Sequence, residues 1–237
     1  MTNKSTYLCE YSILPERTTR DTCITFFGGM SYEDDLNELG EVNLLGRWAV
    51  VGEAKGFCVV EANNTVDLQK WLNNWVSMAD IKVTPCLDDN LHREFILGKC
   101  PEYKVVYDKV NQSALENESL YFLKYKFKAD KIEEGFEVFA NMTEEQDLED
   151  AGNCTCYGRW HDPSDGSGFA VASSPDVLSL FKWARNWKEL CDVSIYPVTD
   201  DLNSRMIIQQ SYGFDAKYNI ILNELLKLNQ PPAKKCF

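Results

Sequence analysis

Apolar residues fall at Leu68, Trp71, Leu72, Trp75 and Met78, the i, i+3, i+4, i+7, i+10 spacing of an amphipathic helix, and Leu180, Trp183, Ala184, Trp187 and Leu190 repeat it. Other segments follow the period of two. Tyr7 to Leu14 is rich in aromatic and β-branched residues and stops at Pro15, so it reads as a strand. A helical stretch runs from about Thr18 to Met30, and a second helix restarts at Ser31 and stops at Gly40. Its counterpart starts at Thr143, with Gln146 three residues on as in a capping box, and ends at Gly152. Val42 to Val51 and Gly56 to Ala62 read as a hairpin, Ile81 to Leu87 as a last strand, and Asp88-Asp89 as the cap of a terminal helical turn. The order is β-α-β-β-α-β, the ferredoxin-like split unit with two helices on one sheet face. On the last strand Lys82, Thr84 and Cys86 alternate with Ile81, Val83 and Leu87, leaving the other face mixed and in need of cover.

A second copy can supply that cover. Shifting the chain by 112 residues aligns Phe27 with Phe139, Gly46-Arg47-Trp48 with Gly158-Arg159-Trp160, Lys70-Trp71 with Lys182-Trp183, Asn74-Trp75 with Asn186-Trp187, Asp88-Asp89 with Asp200-Asp201 and Arg93 with Arg205, without a gap. Only the opening strands need a shift of 114, pairing Tyr7 and Tyr11 with Tyr121 and Tyr125. The expected organisation is a first repeat over 1–98, a connector over 99–118, a second repeat over 119–210 and a tail over 211–237. In the tail, Tyr218, Ile221, Leu222 and Leu225 have helical spacing. The expected fold is α+β, two ferredoxin-like repeats packed sheet to sheet as an intramolecular dimeric α+β barrel.

Charge narrows the partners. The 237 residues carry a formal net charge of −13, which repels nucleic acid and anionic membranes, and no run of about 18 apolar residues offers a membrane span. The expectation is a soluble, intracellular monomer with an internal pseudo-dimer, higher oligomers staying open. Nine scattered cysteines without a C-x-x-C imply neither a disulfide framework nor a zinc site. No G-x-G-x-x-G or P-loop is present, so no cofactor is expected.

A function shared by the two copies needs groups present in both, and no histidine, cysteine or serine nucleophile with a partner base passes that filter. His92 stands opposite Ser204, and His161 opposite Ala49. Cys154, Cys156 and His161 form a metal-like group on one hairpin, but the first copy has Val42, Leu44 and Ala49 there and no fourth ligand is evident, so no metal is expected. His161 remains the better single-copy catalytic candidate.

The residues that pass are Arg47/Arg159, Asn74/Asn186 and Trp71/Trp183. Arg47 and Trp48 must face opposite sides of their strand. Arg47 then either binds an anion in an apolar pocket or pairs with an acid of the other copy or a Trp face. Asn74, beside the apolar stripe, either meets a ligand or satisfies a loop carbonyl. Asp89 and Arg93 sit at i, i+4, positions that can pair.

The stretches "GRWAVVGEAKGFCVVEA", "LQKWLNNW" and "IKVTPCLDD" resemble the domain-of-unknown-function family 3303, within the dimeric α+β barrel group. The second copy departs from the pattern at "HDPSDGSGFAVASS", where Ser173 replaces Glu61. The resemblance implies the barrel fold and brings no catalytic residue. The wider group includes oxygenases, isomerases, haem proteins and binding proteins. Three readings follow: a small-molecule-binding protein holding an anionic ligand between sheet and helices through Arg47, Arg159, Asn74, Asn186, Trp71, Trp183 and His161; a noncatalytic interaction or scaffolding module; and a cofactor-independent enzyme. A haem held by a lone histidine would be available to one copy only.

Overall fold

The computed structural model describes residues 4–107 and 118–212. Part of the expected connector and nearly all of the tail, including its helical spacing at Tyr218 to Leu225, lie outside these residues. The first repeat forms β1 (Ser5–Ile13), α1 (Arg17–Gly29), α2 (Tyr32–Leu39), β2 (Asn43–Val50), β3 (Lys55–Ala62), α3 (Thr65–Leu72), β4 (Ala79–Asp88) and α4 (Asp89–Leu97). The second forms β5 (Ser119–Phe127), α5 (Ile132–Asn141), α6 (Glu144–Ala151), β6 (Thr155–Asp162), β7 (Ser167–Ser174), α7 (Val177–Asn186), β8 (Cys191–Asp200) and α8 (Asp201–Tyr212). The hydrogen-bonded strand order is the closed barrel β1-β3-β2-β8-β5-β7-β6-β4.

Local chemistry sets these boundaries. Ser31 and Thr143 each accept from the backbone of the residue three positions on, and the side chains of Asp34 and Gln146 return the bond, so α2 and α6 both start in capping boxes. Asp88 accepts from the Leu91 amide and starts α4, which runs nine residues to a left-handed Gly98. This element and α8 are therefore full helices, where the sequence pattern suggested a single turn. The α3 helix is shorter than its apolar stripe. It closes at Asn73, and the chain reaches Met78 through turns in which Trp75 N–H donates to Leu72 O and Met78 N–H to Trp75 O. Asn is a poor helix former, and the Asn73-Asn74 pair stands where α3 gives way to turns.

The repeated Gly-Arg-Trp has a packing origin. A bulge at Leu44/Gly46 and again at Cys156/Gly158 shifts the register of the hairpin. The Trp two residues on folds back over the glycine. A Cβ on Gly46 would lie 2.2 Å from the Trp48 ring, and one on Gly158 2.1 Å from the Trp160 ring. Alternation then sends the intervening arginine to the opposite face.

The chain packs as two compact units that cut across the sequence repeats. Among the described residues, unit 1 comprises 4–85 with 198–212, and unit 2 comprises 86–107 with 118–197. Each unit thus takes its last helix from the other repeat: α8 packs on α1 in unit 1, and α4 on α5 in unit 2. Under the helices of unit 1 lie Cys9, Leu39, Val42, Cys58, Val60, Leu68, Trp71 and Leu72. The matching cluster of unit 2 is Tyr121, Leu123, Cys154, Ala170, Ala172, Leu180 and Trp183. Among the described residues no helix is long and apolar enough to cross a membrane.

Candidate functional site

Both arginines of the Gly-Arg-Trp motifs point to the helix side and are buried, each only 7% exposed. In unit 1, Arg47 donates from Nε and Nη2 to Asp201 at 2.9 and 3.0 Å, and from Nη2 to Asp35 at 2.8 Å. Arg205 approaches the same two carboxylates at 3.1 and 3.4 Å and donates to the carbonyl of Phe27 at the end of α1. Both guanidinium groups lie over the Phe27 ring, 4.8 and 4.2 Å from its centroid. Unit 2 builds a matching but looser cage, in which Arg93 Nη2 stands 3.9 Å from Asp147. Arg159 reaches Asp89 and Asp147, Arg93 donates to the Met142 carbonyl at 3.0 Å, and both cations cover Phe139.

Two buried arginines and two aspartates balance each other's charge, which is what makes their burial tolerable. Burial opposes ionisation of Arg47 and Arg159, but the facing carboxylates more than offset it and hold both well above the usual guanidinium range. Burial likewise works against Asp201 and Asp89, and the arginines pull both below the usual carboxylate range. In both units the GRW cation pairs with an aspartate contributed by the other sequence repeat. Asp35 and Asp147, the third corner of each cage, were missed in the sequence reading although they keep the 112-residue register.

The other sequence candidates divide. Trp71 and Trp183 are buried beside the cages. Their Nε1 atoms donate to Glu38 and Asp150 at 2.8 and 2.9 Å. Asn74 and Asn186 are exposed, not buried, and their amides donate to the same two acids at 3.2 and 3.0 Å. They stand outside the cavities described next. Cys154 and Cys156 do not gather with His161: Cys154 Sγ contacts Ser174 and Cys156 Sγ the Gly158 carbonyl, and among the described residues no group of His, Cys, Asp and Glu has metal-site geometry. The eight cysteines of the described residues are free.

Beside each cage lies a cavity, and here the units part. That of unit 1 measures about 220 Å³ and is lined by Tyr11, Phe27, Arg47, Ala49, Trp71 and Trp75, with Cys9, Cys23 and Cys58 among further neighbours. Burial raises the Cys9 thiol to about 12 and pushes Tyr11 and Cys58 upward too, so these groups are uncharged. Tyr11 lies across Gly56, where a Cβ would come within 2.2 Å of its hydroxyl. The cavity of unit 2 measures only about 70 Å³. His161 stands at the position of Ala49 and His92 at that of Ser204, stacked with centroids 4.2 Å apart and nearly parallel.

The histidines are wired differently from each other. His161 Nε2 is 2.5 Å from Asp89, and Nδ1 is hydrogen-bonded to the Tyr125 hydroxyl. Burial holds His161 below the usual histidine range. A neutral ring then donates from Nε2 to the carboxylate and accepts at Nδ1 from the phenol. His92 is fully buried, and among the described residues neither ring nitrogen has a hydrogen-bond partner. With both nitrogens of His161 engaged and about 70 Å³ beside it, the pocket does not fit a haem on that histidine.

The fold and the doubled cage define a dimeric α+β barrel carried within one chain. The family model described as "Domain of unknown function (DUF3303)" matches residues 6–99 and again 119–212, and the chain belongs to that family. No curated protein matches it. Among solved structures, the chain is similar to a mutant chlorite dismutase from Candidatus Nitrospira defluvii, with 9% identity, 88% of this chain and 96% of that one covered, and a TM-score of 0.51. It is also similar to a "putative monooxygenase" from Lactobacillus acidophilus NCFM, with 7% identity, 84% and 94% coverage, and a TM-score of 0.50. At such identities the likeness is one of fold.

Proposed function

We propose that the protein binds a small molecule in the cavity of unit 1, and that the ligand is neutral and largely apolar. The observation that carries this reading is a cavity of about 220 Å³, walled by Phe27, Trp71, Trp75 and Ile81, at the place where histidines narrow that of unit 2 to about 70 Å³. A cavity of about 150 Å³ suffices for benzene, so a substituted or bicyclic ring is the appropriate size. The charge balance turns the expectation of an anionic ligand toward a neutral one. Arg47 already faces Asp35 and Asp201, and a third negative charge would meet carboxylates as well as the guanidinium. Tyr11 and Ser204 offer hydrogen bonds at the wall.

The test compares 2-naphthol with 2-naphthoate, alike in size and different in charge, by quenching of tryptophan fluorescence. Saturable binding of the neutral compound, at least about tenfold tighter than the anion and lost in Ala49→Trp, is expected; a tenfold ratio corresponds to about 1.4 kcal/mol. Preference for the anion, or binding unchanged in Ala49→Trp, would remove the reading.

The scaffolding alternative has one observation in its favour. Exposed apolar residues recur at equivalent positions, Phe26 and Val138, Leu36 and Leu148, Val66 and Leu178, Phe95 and Ile207. Light scattering on a size-exclusion column tests self-association; an assembly dispersed by Phe95→Asp and Ile207→Asp would favour that role, and a monomer at all concentrations would count against it.

A further inference from the structure

Unit 2 holds a buried constellation that the ligand site of unit 1 neither uses nor explains. Its scaffold is the same as that of unit 1, with Tyr125, Asp89, Asp147, Arg93 and Arg159 matching Tyr11, Asp201, Asp35, Arg205 and Arg47. Unit 1 packs without histidines, so His92 and His161 are additions to a frame that does not require them. They are costly additions. His92 is fully buried with both ring nitrogens unpartnered among the described residues, and a buried polar group without a hydrogen bond ordinarily costs free energy. Packing alone would be served better by an apolar ring, since His92 already stands among Phe136 and Phe139.

The wiring of the second histidine has direction. Asp89 takes the Nε2 proton of His161, which leaves Nδ1 as the acceptor for the Tyr125 hydroxyl. Asp89 is itself fixed by Arg159 through Nε and Nη2 and also accepts from Tyr107. A carboxylate that orients an imidazole, and an imidazole that polarises a hydroxyl, is the arrangement of a general base. Tyr125, His161 and His92 border the same small cavity, whose other walls include Leu123, Phe127 and Trp183.

We propose that Tyr125, His161 and Asp89 form a proton-transfer site in unit 2, and that its substrate is a small uncharged carbonyl compound with an acidic C–H beside the carbonyl. The phenol proton passes to His161 Nδ1 in the same step in which the Tyr125 oxygen takes the proton from the substrate carbon, so no free phenolate forms where burial holds Tyr125 well above the usual phenol range. The electron pair of the broken C–H bond forms the enolate C=C, and the carbonyl π pair moves to oxygen. The imidazolium is held by Asp89, and the pair of new charges, one on His161 and one on the enolate, leaves the net charge unchanged. His92 supplies a neutral N–H for the carbonyl oxygen. The protons held on Tyr125 and His161 exchange with solvent before one returns to carbon, that return regenerates every group, and the cycle requires no oxidant, reductant or metal. The apolar walls and the balanced Arg–Asp cage favour an uncharged molecule, and about 70 Å³ limits the reacting part to a few heavy atoms.

The experiment follows wash-in of deuterium from D2O into acetone and hydroxyacetone by proton NMR, using the full chain. Wild type is expected to accelerate exchange over buffer, and Tyr125→Phe and His161→Gln to lower the accelerated rate by about a hundredfold while circular dichroism shows an unchanged fold. No acceleration by wild type, or an undiminished rate in Tyr125→Phe, would overturn the proposal. Nitrogen-15 NMR of wild type tests the wiring even where a variant fails to fold. A His161 proton on Nε2 is expected, and one resident on Nδ1 would overturn it.

Discussion

The two units carry the same arginine–aspartate cage and differ in what stands beside it. In unit 1 Ala49 and Ser204 leave a cavity of about 220 Å³; in unit 2 His161 and His92 reduce it to about 70 Å³. Ser204 is satisfied locally by Thr199 at 2.7 Å, whereas His92 has no hydrogen-bond partner among the described residues and His161 is tied into a Tyr–His–Asp chain. Groups shared by both units therefore explain the fold, and groups that differ point to chemistry. The cage itself is structural: it joins a strand, the start of one helix and a helix supplied by the other repeat.

Breaking either cage has the largest expected effect. Arg159→Met leaves Asp89 and Asp147 facing each other with less compensation, and removing one member of a buried pair costs about 3–5 kcal/mol. Arg47→Met should cost a similar amount, measured by urea denaturation. A loss below about 1 kcal/mol in both variants would contradict the cage as a structural element. Next come the glycines. Gly46→Ala and Gly158→Ala force a Cβ into the Trp48 and Trp160 rings, at about 1–3 kcal/mol each. Wild-type stability in both would show that the Trp rings are not seated as described.

The acid response should separate the units more sharply. Burial lowers His92 to about 3, with the neighbouring His161, Arg93 and Arg159 acting in the same sense and Asp89 against them. The unfolded chain takes up this proton near pH 6.5, where the folded unit does not. Stability contributed by keeping His92 neutral is thus intact above pH 6.5 and falls as the pH drops toward 3, by about 1.4 kcal/mol per pH unit. His161, also depressed by burial, steepens the fall. Denaturation between pH 7 and 4 should show that slope in wild type and a shallower one in His92→Ser; equal slopes would mean that His92 titrates normally. The smallest effect is expected at Asn74→Ala, an exposed amide on Glu38, at about 0.5 kcal/mol or less. A loss of several kcal/mol there would show that the Asn–Glu–Trp contact matters more than the cage.

Much of the fold was legible because period and register are local signals. The apolar spacing from Leu68 to Met78, the caps at Ser31 and Thr143, and the ungapped shift of 112 residues define the elements without reference to tertiary contacts. The cage was only half legible. Arg47 and Arg159 stood out through the repeated tripeptide, but each draws its two carboxylates from two other helices, one of them in the other repeat, and Asp35 carries no local signal that marks it as a partner. Its register with Asp147 was the available signal. Requiring residues to repeat also hid His92, which faces Ser204 in the alignment and matters because it is not duplicated. Asn74 was placed beside the apolar stripe, facing a ligand or a loop carbonyl, because it follows Trp71; α3 ends before it, and the exposed side chain donates to the Glu38 carboxylate instead.

The most direct measurement grafts the histidines of unit 2 into unit 1 as Ala49→His/Ser204→His and titrates 2-naphthol into the variant and the wild type. The account predicts saturable binding by wild type and loss of that binding in the variant, whose stability should acquire a steeper fall below pH 6.5. Equal affinity in the two proteins would contradict the claim that these two positions separate the larger cavity from the smaller one.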